Sequence, residues 1–211
     1  MDMIILAAVA AFIVYRLYVT LGEKTGFQGD DTKPSNVVDL QSRTTIKPQE
    51  STLTPEDVDD IPADFVKDVE TLKSLDSSFV FKDFLEKATS AFEIILQAYA
   101  DGDRSTLKHL TTKDVFSEFD KALKDLESNN QSLEITLVRI ESTTVKDIKI
   151  DKKNAEIQIE FVTEQVPLVK DKSGDIIDGN PNQIDQVIDT WTFKRDMKSA
   201  NPMWVLCSTN E

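Results

Sequence analysis

Cysteine and histidine are almost absent from this sequence of 211 residues. The single cysteine, Cys207, excludes an intramolecular disulfide framework and a multi-cysteine zinc site. The single histidine, His109, excludes a histidine-rich metal site and leaves one candidate for histidine-dependent catalysis. Only 6 glycines are present and they are not clustered, which excludes a phosphate-cradling loop. The sequence therefore predicts no catalytic residues, no metal site and no cofactor.

Basic residues are scarce beside acidic ones, with 24 Lys plus Arg against 38 Asp plus Glu and a net charge of −14. Nucleic-acid binding depends on cations that neutralise phosphates, so nucleic acid is not an expected partner. Residues 54–130 hold 18 of the acidic residues and only 9 basic ones. This excess indicates solvated helix faces or, alternatively, an acidic patch for a basic partner such as a presequence or a chaperone surface.

Long apolar runs are scarce, and the N-terminus carries the clearest one, over residues 4–15. With its flanks, residues 3–21, it would form a helix of about 28 Å, enough to span a bilayer core. No basic residue precedes the run, which favours an uncleaved anchor over a signal peptide. Cations follow the run, and this favours a cytoplasmic location for what comes after it. The expected anchor residues are Ile4, Leu6, Phe12, Val14, Tyr15 and Arg16.

Three regions are predicted along the chain. Residues 1–27 are a transmembrane anchor with a juxtamembrane segment. Residues 28–53 contain no aromatic residue and few aliphatic ones, so they cannot bury enough apolar surface to fold and form a flexible tether. Residues 54–211 form the folded domain.

Helical periodicity dominates the first half of this domain. A first helix starts at Ile61-Pro62, and a stronger one carries apolar residues at three-and-four spacing between Phe81 and Tyr99. Asp103 is expected to cap a short third helix, and Thr111 to begin the capping pattern of a fourth. The aromatic residues of these helices are expected to face the core.

Alternating periodicity takes over after residue 130, where polar and apolar residues follow one another in several strands. Helices first and antiparallel strands afterwards indicate an α+β domain with helices packed on one face of a curved sheet. Such a sheet forms a cone, and a ligand site would be sought between it and the helices. The candidates for lining this cavity or binding a partner are Phe92, Ile157, Phe161, Trp191, Phe193 and Trp204.

Both halves of the domain contain recognisable motifs. In the helical half they are Phe84-Leu85, Phe92, Ala98, Gly102-Asp103, Leu107 and Leu110. In the strand half they are Asp175-Ile176-Ile177-Asp178-Gly179-Asn180, Asp189-Thr190-Trp191-Thr192-Phe193-Lys194-Arg195 and Asn201-Pro202-Met203-Trp204-Val205-Leu206. Together these motifs resemble the Tim44-like domain family. The anchor running into Gly22, Thr25, Gly26 and Phe27 resembles the bacterial branch called TimA.

The resemblance implies a cone-shaped fold like that of nuclear transport factor two, attached to the bacterial inner membrane by a single span. It implies a non-enzymatic adaptor in protein translocation or in membrane-protein or envelope biogenesis. The implied partners are the inner-membrane lipid bilayer, membrane or translocon proteins and a DnaK-type chaperone. The mitochondrial adaptor of this family links the preprotein channel to a heat-shock chaperone, through a long charged helical segment that this chain replaces by its tether.

Alternatives remain open at this point. A cone-shaped domain can instead bind a small ligand or a lipid in its cavity, or act there as an enzyme. Asp101 and Asp103 are expected to form a turn and a cap, and Cys207 to be a small buried side chain. Arg195 and Asp189 are expected to form an ion pair at a strand edge.

Overall fold

A computed structural model describes residues 61–209, which form one layer of helices on an antiparallel sheet. A 3₁₀ turn, Ala63–Phe65, leads into helix α1, Val66–Leu75, and the further helices are α2, Phe81–Ala100, α3, Arg104–Leu110, and α4, Lys113–Ser128. The strands are β1, Gln131–Asp151, β2, Asn154–Asp171, β3, Ile176–Asp178, β4, Asp185–Asp196, and β5, Val205–Thr209. The α+β class predicted from the sequence is confirmed.

The N-terminal anchor and the tether, residues 1–27 and 28–53, lie outside the described residues. The same holds for all six anchor residues, Ile4, Leu6, Phe12, Val14, Tyr15 and Arg16. Within residues 61–209, no helix combines the length and the apolar character that a membrane span requires.

Helix α2 is the longest helix within residues 61–209, and its apolar residues recur on one face. Seven of its residues are buried, among them Phe84, Phe92, Ile95 and Tyr99. The turn that follows it contains Gly102, whose φ of +68° is a backbone conformation that glycine adopts without strain. The predicted cap of α3 is confirmed, since the Asp103 carboxylate accepts hydrogen bonds from the backbone N–H groups of Ser105 and Thr106.

The start of α4 differs from the prediction by one residue. Thr112 occupies the capping position, and its side chain makes no cap hydrogen bond. Thr111 is buried instead and donates its hydroxyl proton to the carbonyl of Leu107. Its backbone forms an isolated bridge with Leu206, which fastens the α3–α4 corner to the last strand. The capping pattern was misread because two threonines stand side by side.

The sheet has the strand order β1-β2-β4-β5, and β3 pairs with β2 beyond the start of β4. β1 pairs with β2 along its whole length and contains register shifts after Leu137, Ile140 and Val145. Each shift is a bulge that adds local twist, so a strand of 21 residues can curve around the helices. The sequence predicted separate apolar stretches here, and the bulges join them into one strand.

Candidate functional site

Five of the six predicted site residues meet in the core. The Phe92 ring of α2 lies 4.4 Å from that of Phe161 on β2 and 4.5 Å from that of Trp191 on β4, centroid to centroid. The ring centroid of Phe193 lies 6.3 Å from that of Trp191, and Ile157 on β2 is the cross-strand partner of Phe193. All five are at most 5% exposed, so their rings and side chains pack against one another.

Trp204 belongs to a second aromatic cluster. It is half-buried just before β5, and its ring lies 4.7 Å from Phe84 and 6.1 Å from Phe79. Both phenylalanines are buried near the start of α2. The structure therefore separates Trp204 from the other predicted residues and uses it to hold the entry to β5 against the helices.

The inward row of β2 ends in two polar residues. Thr163 and Gln165 follow Ile157, Ile159 and Phe161 at every second position, and they are 0% and 2% exposed. Gln165 donates from Nε2 to the Thr163 hydroxyl at 2.7 Å, and that hydroxyl reaches the Val187 carbonyl at 3.4 Å. Both side chains are neutral, and they satisfy each other by hydrogen bonding in the interior. Extending the alternation by two steps would have found them in the sequence.

The structure pairs Arg195 with Asp76 and not with Asp189. Arg195 Nη2 lies 2.7 Å from Asp76 Oδ2, and the two side chains are only 8% and 15% exposed. The hydroxyl of Ser78 and, with it, the guanidinium hold the pKa of Asp76 below its usual range. The predicted pair is wrong because both residues lie on β4, six positions or about 20 Å apart. The observed pair joins the end of α1 to the end of β4.

The outer face of the sheet carries a polar groove of about 290 Å³. Lys149, Glu156 and Lys194 cross it as register partners on three strands, so opposite charges alternate. Cys207 lines this groove and is half-buried, which corrects the prediction of a buried apolar side chain. Burial, with the nearby Glu156 carboxylate, raises the pKa of its thiol, so the reactive thiolate is disfavoured.

The remaining polar candidates have structural partners or lie on the surface. His109 is exposed in the last turn of α3. Asp101 accepts a hydrogen bond from Gln97 Nε2 at 2.9 Å, and Asp103 caps α3 as described above. Among residues 61–209, no group of three His, Cys, Asp or Glu side chains is placed to hold a metal ion.

Exposed apolar side chains collect at one end of the sheet. Six large ones are exposed within residues 61–209, and four of them form what we call the isoleucine ledge: Ile176, Ile177, Ile184 and Ile188, which are 42% to 56% exposed. β3 and β4 lie end to end along the same edge of β2, since β1 occupies the other edge. The end of β3 pairs with Val169 and the start of β4 pairs with Gln165. These two residues of β2 are four positions, about 13 Å, apart.

Tight contact with β2 holds the ledge in place. Gly179 follows β3 with a φ of +88°, and a Cβ at this position would lie 2.3 Å from the Pro167 carbonyl oxygen. Only glycine fits such an approach. Nothing in the sequence indicated that the isoleucines on either side of Gly179 are exposed.

These features define the class of the protein. It is an α+β domain whose interior is filled by aromatic rings and whose exposed isoleucines lie mainly at one end of an antiparallel sheet. The chain belongs to the Tim44-like domain family, which matches residues 67–211. The family predicted from the sequence is thereby confirmed.

One relative and two solved structures complete the comparison. Mitochondrial import inner membrane translocase subunit TIM44-1 of Arabidopsis thaliana is 24% identical over 144 residues, 65% of this chain and 30% of that protein. The chain thus spans less than a third of this relative's length. The intermembrane space region of chloroplast protein ARC6 is similar at a TM-score of 0.42, with 10% identity over 60% of this chain and 94% of that one. An NTF2-like family protein from Streptomyces avermitilis is similar at a TM-score of 0.35, with 15% identity over 61% of this chain and 94% of that one.

Proposed function

We propose that this chain is a non-enzymatic, membrane-anchored adaptor that acts in protein translocation or in membrane-protein or envelope biogenesis. The observation that carries the proposal is the match of residues 67–211 to the Tim44-like domain family. The Arabidopsis relative is named as a subunit of a mitochondrial import translocase of the inner membrane, which supports a role beside a protein-conducting complex.

The proposed location is the bacterial inner membrane, of the TimA type, with a single span and the domain in the cytoplasm. The apolar run at residues 4–15 and the cations that follow it support this topology. The proposed mechanism is a high effective concentration: the anchor and the tether keep a weakly binding domain close to a partner in the same membrane. The proposed partners are the bilayer, translocon or other membrane proteins, and a DnaK-type chaperone.

The packed interior supports an adaptor more than a cavity binder. Phe92, Phe161 and Trp191 fill the space between α2 and the sheet, and ring distances of 4.4 to 6.0 Å leave them in mutual contact. A site for a small ligand or a lipid would need these rings to be displaced, at the cost of their packing. The exposed isoleucines, in contrast, offer apolar surface that a partner contacts without displacing any core side chain.

Photo-crosslinking in cells tests this function. A benzoylphenylalanine replaces Lys108 on α3 or Lys194 on β4, both exposed, and the crosslinked membrane fraction is identified by mass spectrometry. The proposal predicts crosslinks to a translocon subunit or a DnaK-type chaperone, and crosslinks to other envelope proteins would place the adaptor in envelope biogenesis. The absence of any protein crosslink from both positions would contradict an adaptor function.

A further inference from the structure

The isoleucine ledge carries a net negative charge as well as apolar surface. Residues 171–185 contain four aspartates and one basic residue, Lys172. Asp178 and Asp185 accept hydrogen bonds from neutral donors, the backbone N–H of Gly179 and the side-chain amide of Gln183. Their negative charge therefore remains available to a partner.

Cations in the neighbouring strands do not cancel this charge. Arg139 on β1 lies 2.7 Å from both Glu164 and Glu141, and Lys170 on β2 pairs with Glu134. Each of these cations is already held by a carboxylate. The surface around the ledge thus combines exposed aliphatic side chains with a negative potential, which disfavours an anionic membrane surface as its occupant.

The strand edge beside the ledge has no strand paired with it among residues 61–209. β5 pairs with β4 from Trp191 to Lys194, and within residues 61–209 no strand pairs with that edge of β4 at residues 185–188. Ile188 projects on the outer face there, since the adjacent Val187 is buried on the inner face. An exposed edge is a template for a further strand.

We propose that the isoleucine ledge binds an extended, cationic segment of a partner protein, in which aliphatic side chains alternate with lysines or arginines. The segment pairs its backbone with the open edge of β4, its aliphatic side chains contact Ile184 and Ile188, and its cations face Asp178 and Asp185. The proposal names the partner chemistry of the adaptor function and rests on that function.

Peptide binding by the purified full chain in detergent micelles tests the proposal. The probe is a fluorescein-labelled peptide of alternating isoleucine and lysine, and a peptide of alternating isoleucine and glutamate is its control. Fluorescence anisotropy is expected to show binding of the lysine peptide and none of the glutamate peptide. The double variant Ile184→Ser with Ile188→Ser should weaken binding about tenfold, as loss of two anchoring contacts does.

Matched variants separate the ledge from general attraction. Ile94→Ser removes an isoleucine of similar exposure, 49%, from α2 and is expected to change binding less than about twofold. Asp185→Lys should weaken binding strongly, while Asp83→Lys, the same change at an exposed position of α2, should have a small effect. Equal losses in both members of either pair would overturn the proposal, since binding would then be nonspecific.

Backbone pairing and rival occupants have their own readouts. Methylation of alternate backbone amides of the peptide removes donors that a strand edge needs, and unchanged binding would overturn the proposed pairing. Two results would indicate another occupant and would also overturn the proposal. One is a dimer of this chain that the double Ser variant dissociates, and the other is binding of anionic vesicles that the double Ser variant abolishes.

Unchanged melting temperatures of the variants would exclude unfolding as the cause of a loss of binding. Failure of peptide binding leaves the adaptor function standing, because the crosslinks from Lys108 and Lys194 test that function in cells.

Discussion

Isoleucines have opposite environments in the aromatic centre and at one end of the same sheet. Ile157 and Ile159 on β2 are completely buried beneath α2, whereas Ile184 and Ile188 at the start of β4 are 56% and 51% exposed. Both pairs have the same side chain and a similar strand periodicity. The aromatic centre of the sheet thus serves stability, while the ledge leaves apolar surface accessible for the contact proposed above.

The strongest way to sharpen this contrast is to remove the ring at its centre. Phe92→Ala should lower the free energy of unfolding by about 4 kcal/mol, because a completely buried aromatic side chain leaves a cavity. Ile94→Ala on the same helix is the control and should cost less than about 1 kcal/mol, since Ile94 is exposed. Urea unfolding followed by circular dichroism measures both, and equal losses would contradict the assigned core.

The buried ion pair should have the next largest effect. Asp76→Asn leaves Arg195 buried and unpaired, and we expect a loss of about 3 kcal/mol in the free energy of unfolding. Asp83→Asn, at an exposed position, is the control and should leave stability nearly unchanged. The wild-type contribution should be present above the unfolded pKa of about 4 and be lost as acid protonates Asp76. Stability curves that stay parallel for wild type and Asp76→Asn on acidification would contradict this role.

The support of the ledge can be tested with two glycines. Gly179→Ala should cost about 2 to 3 kcal/mol, since a left-handed backbone and a clash with the Pro167 carbonyl act together. Gly174→Ala has a similar φ, +86°, but open space around the added Cβ, and should cost about 1 kcal/mol. Denaturant unfolding compares the two variants. A Gly179→Ala variant no less stable than Gly174→Ala would contradict the tight contact between residue 179 and β2.

The smallest effect at neutral pH concerns a titratable group of the interior. Burial, with the nearby Asp125 carboxylate, raises the pKa of Tyr99 to about 12. Because the unfolded value is about 10, its contribution to stability is complete below pH 10 and is lost as pH rises towards 12. Unfolding measured between pH 9 and about 12 should show a steeper fall for wild type than for Tyr99→Phe. Identical pH dependence would contradict the burial of the hydroxyl.

Periodicity predicted the helices well because the apolar residues of each helix recur on a single face. The strong stripe of α2, its break at Gly102 and the cap at Asp103 all appear where the sequence indicated them. Trp191 and Phe193 share the inner face of β4 as expected from two-residue spacing. Local rules suffice when each element is specified by its own residues.

Long-range contacts explain what the sequence did not predict. Arg195 finds Asp76 across 119 positions of the chain, a partner that no local pattern could name. The three register shifts of β1 depend on its pairing with β2, and the exposure of the ledge depends on where β3 and β4 end along β2. The same limit applies to Cys207, whose groove is assembled from four strands.

One measurement compares the two regions most directly. A photo-crosslinking residue replaces the exposed Asn182, which lies between Ile177 and Ile184, and the yield of partner crosslinks is measured in cells. Ile184→Ser with Ile188→Ser is expected to reduce the yield about tenfold, whereas Ile157→Val in the interior should leave it unchanged. An unchanged yield in the double variant together with a loss in Ile157→Val would contradict a binding site at the ledge and place it in the interior.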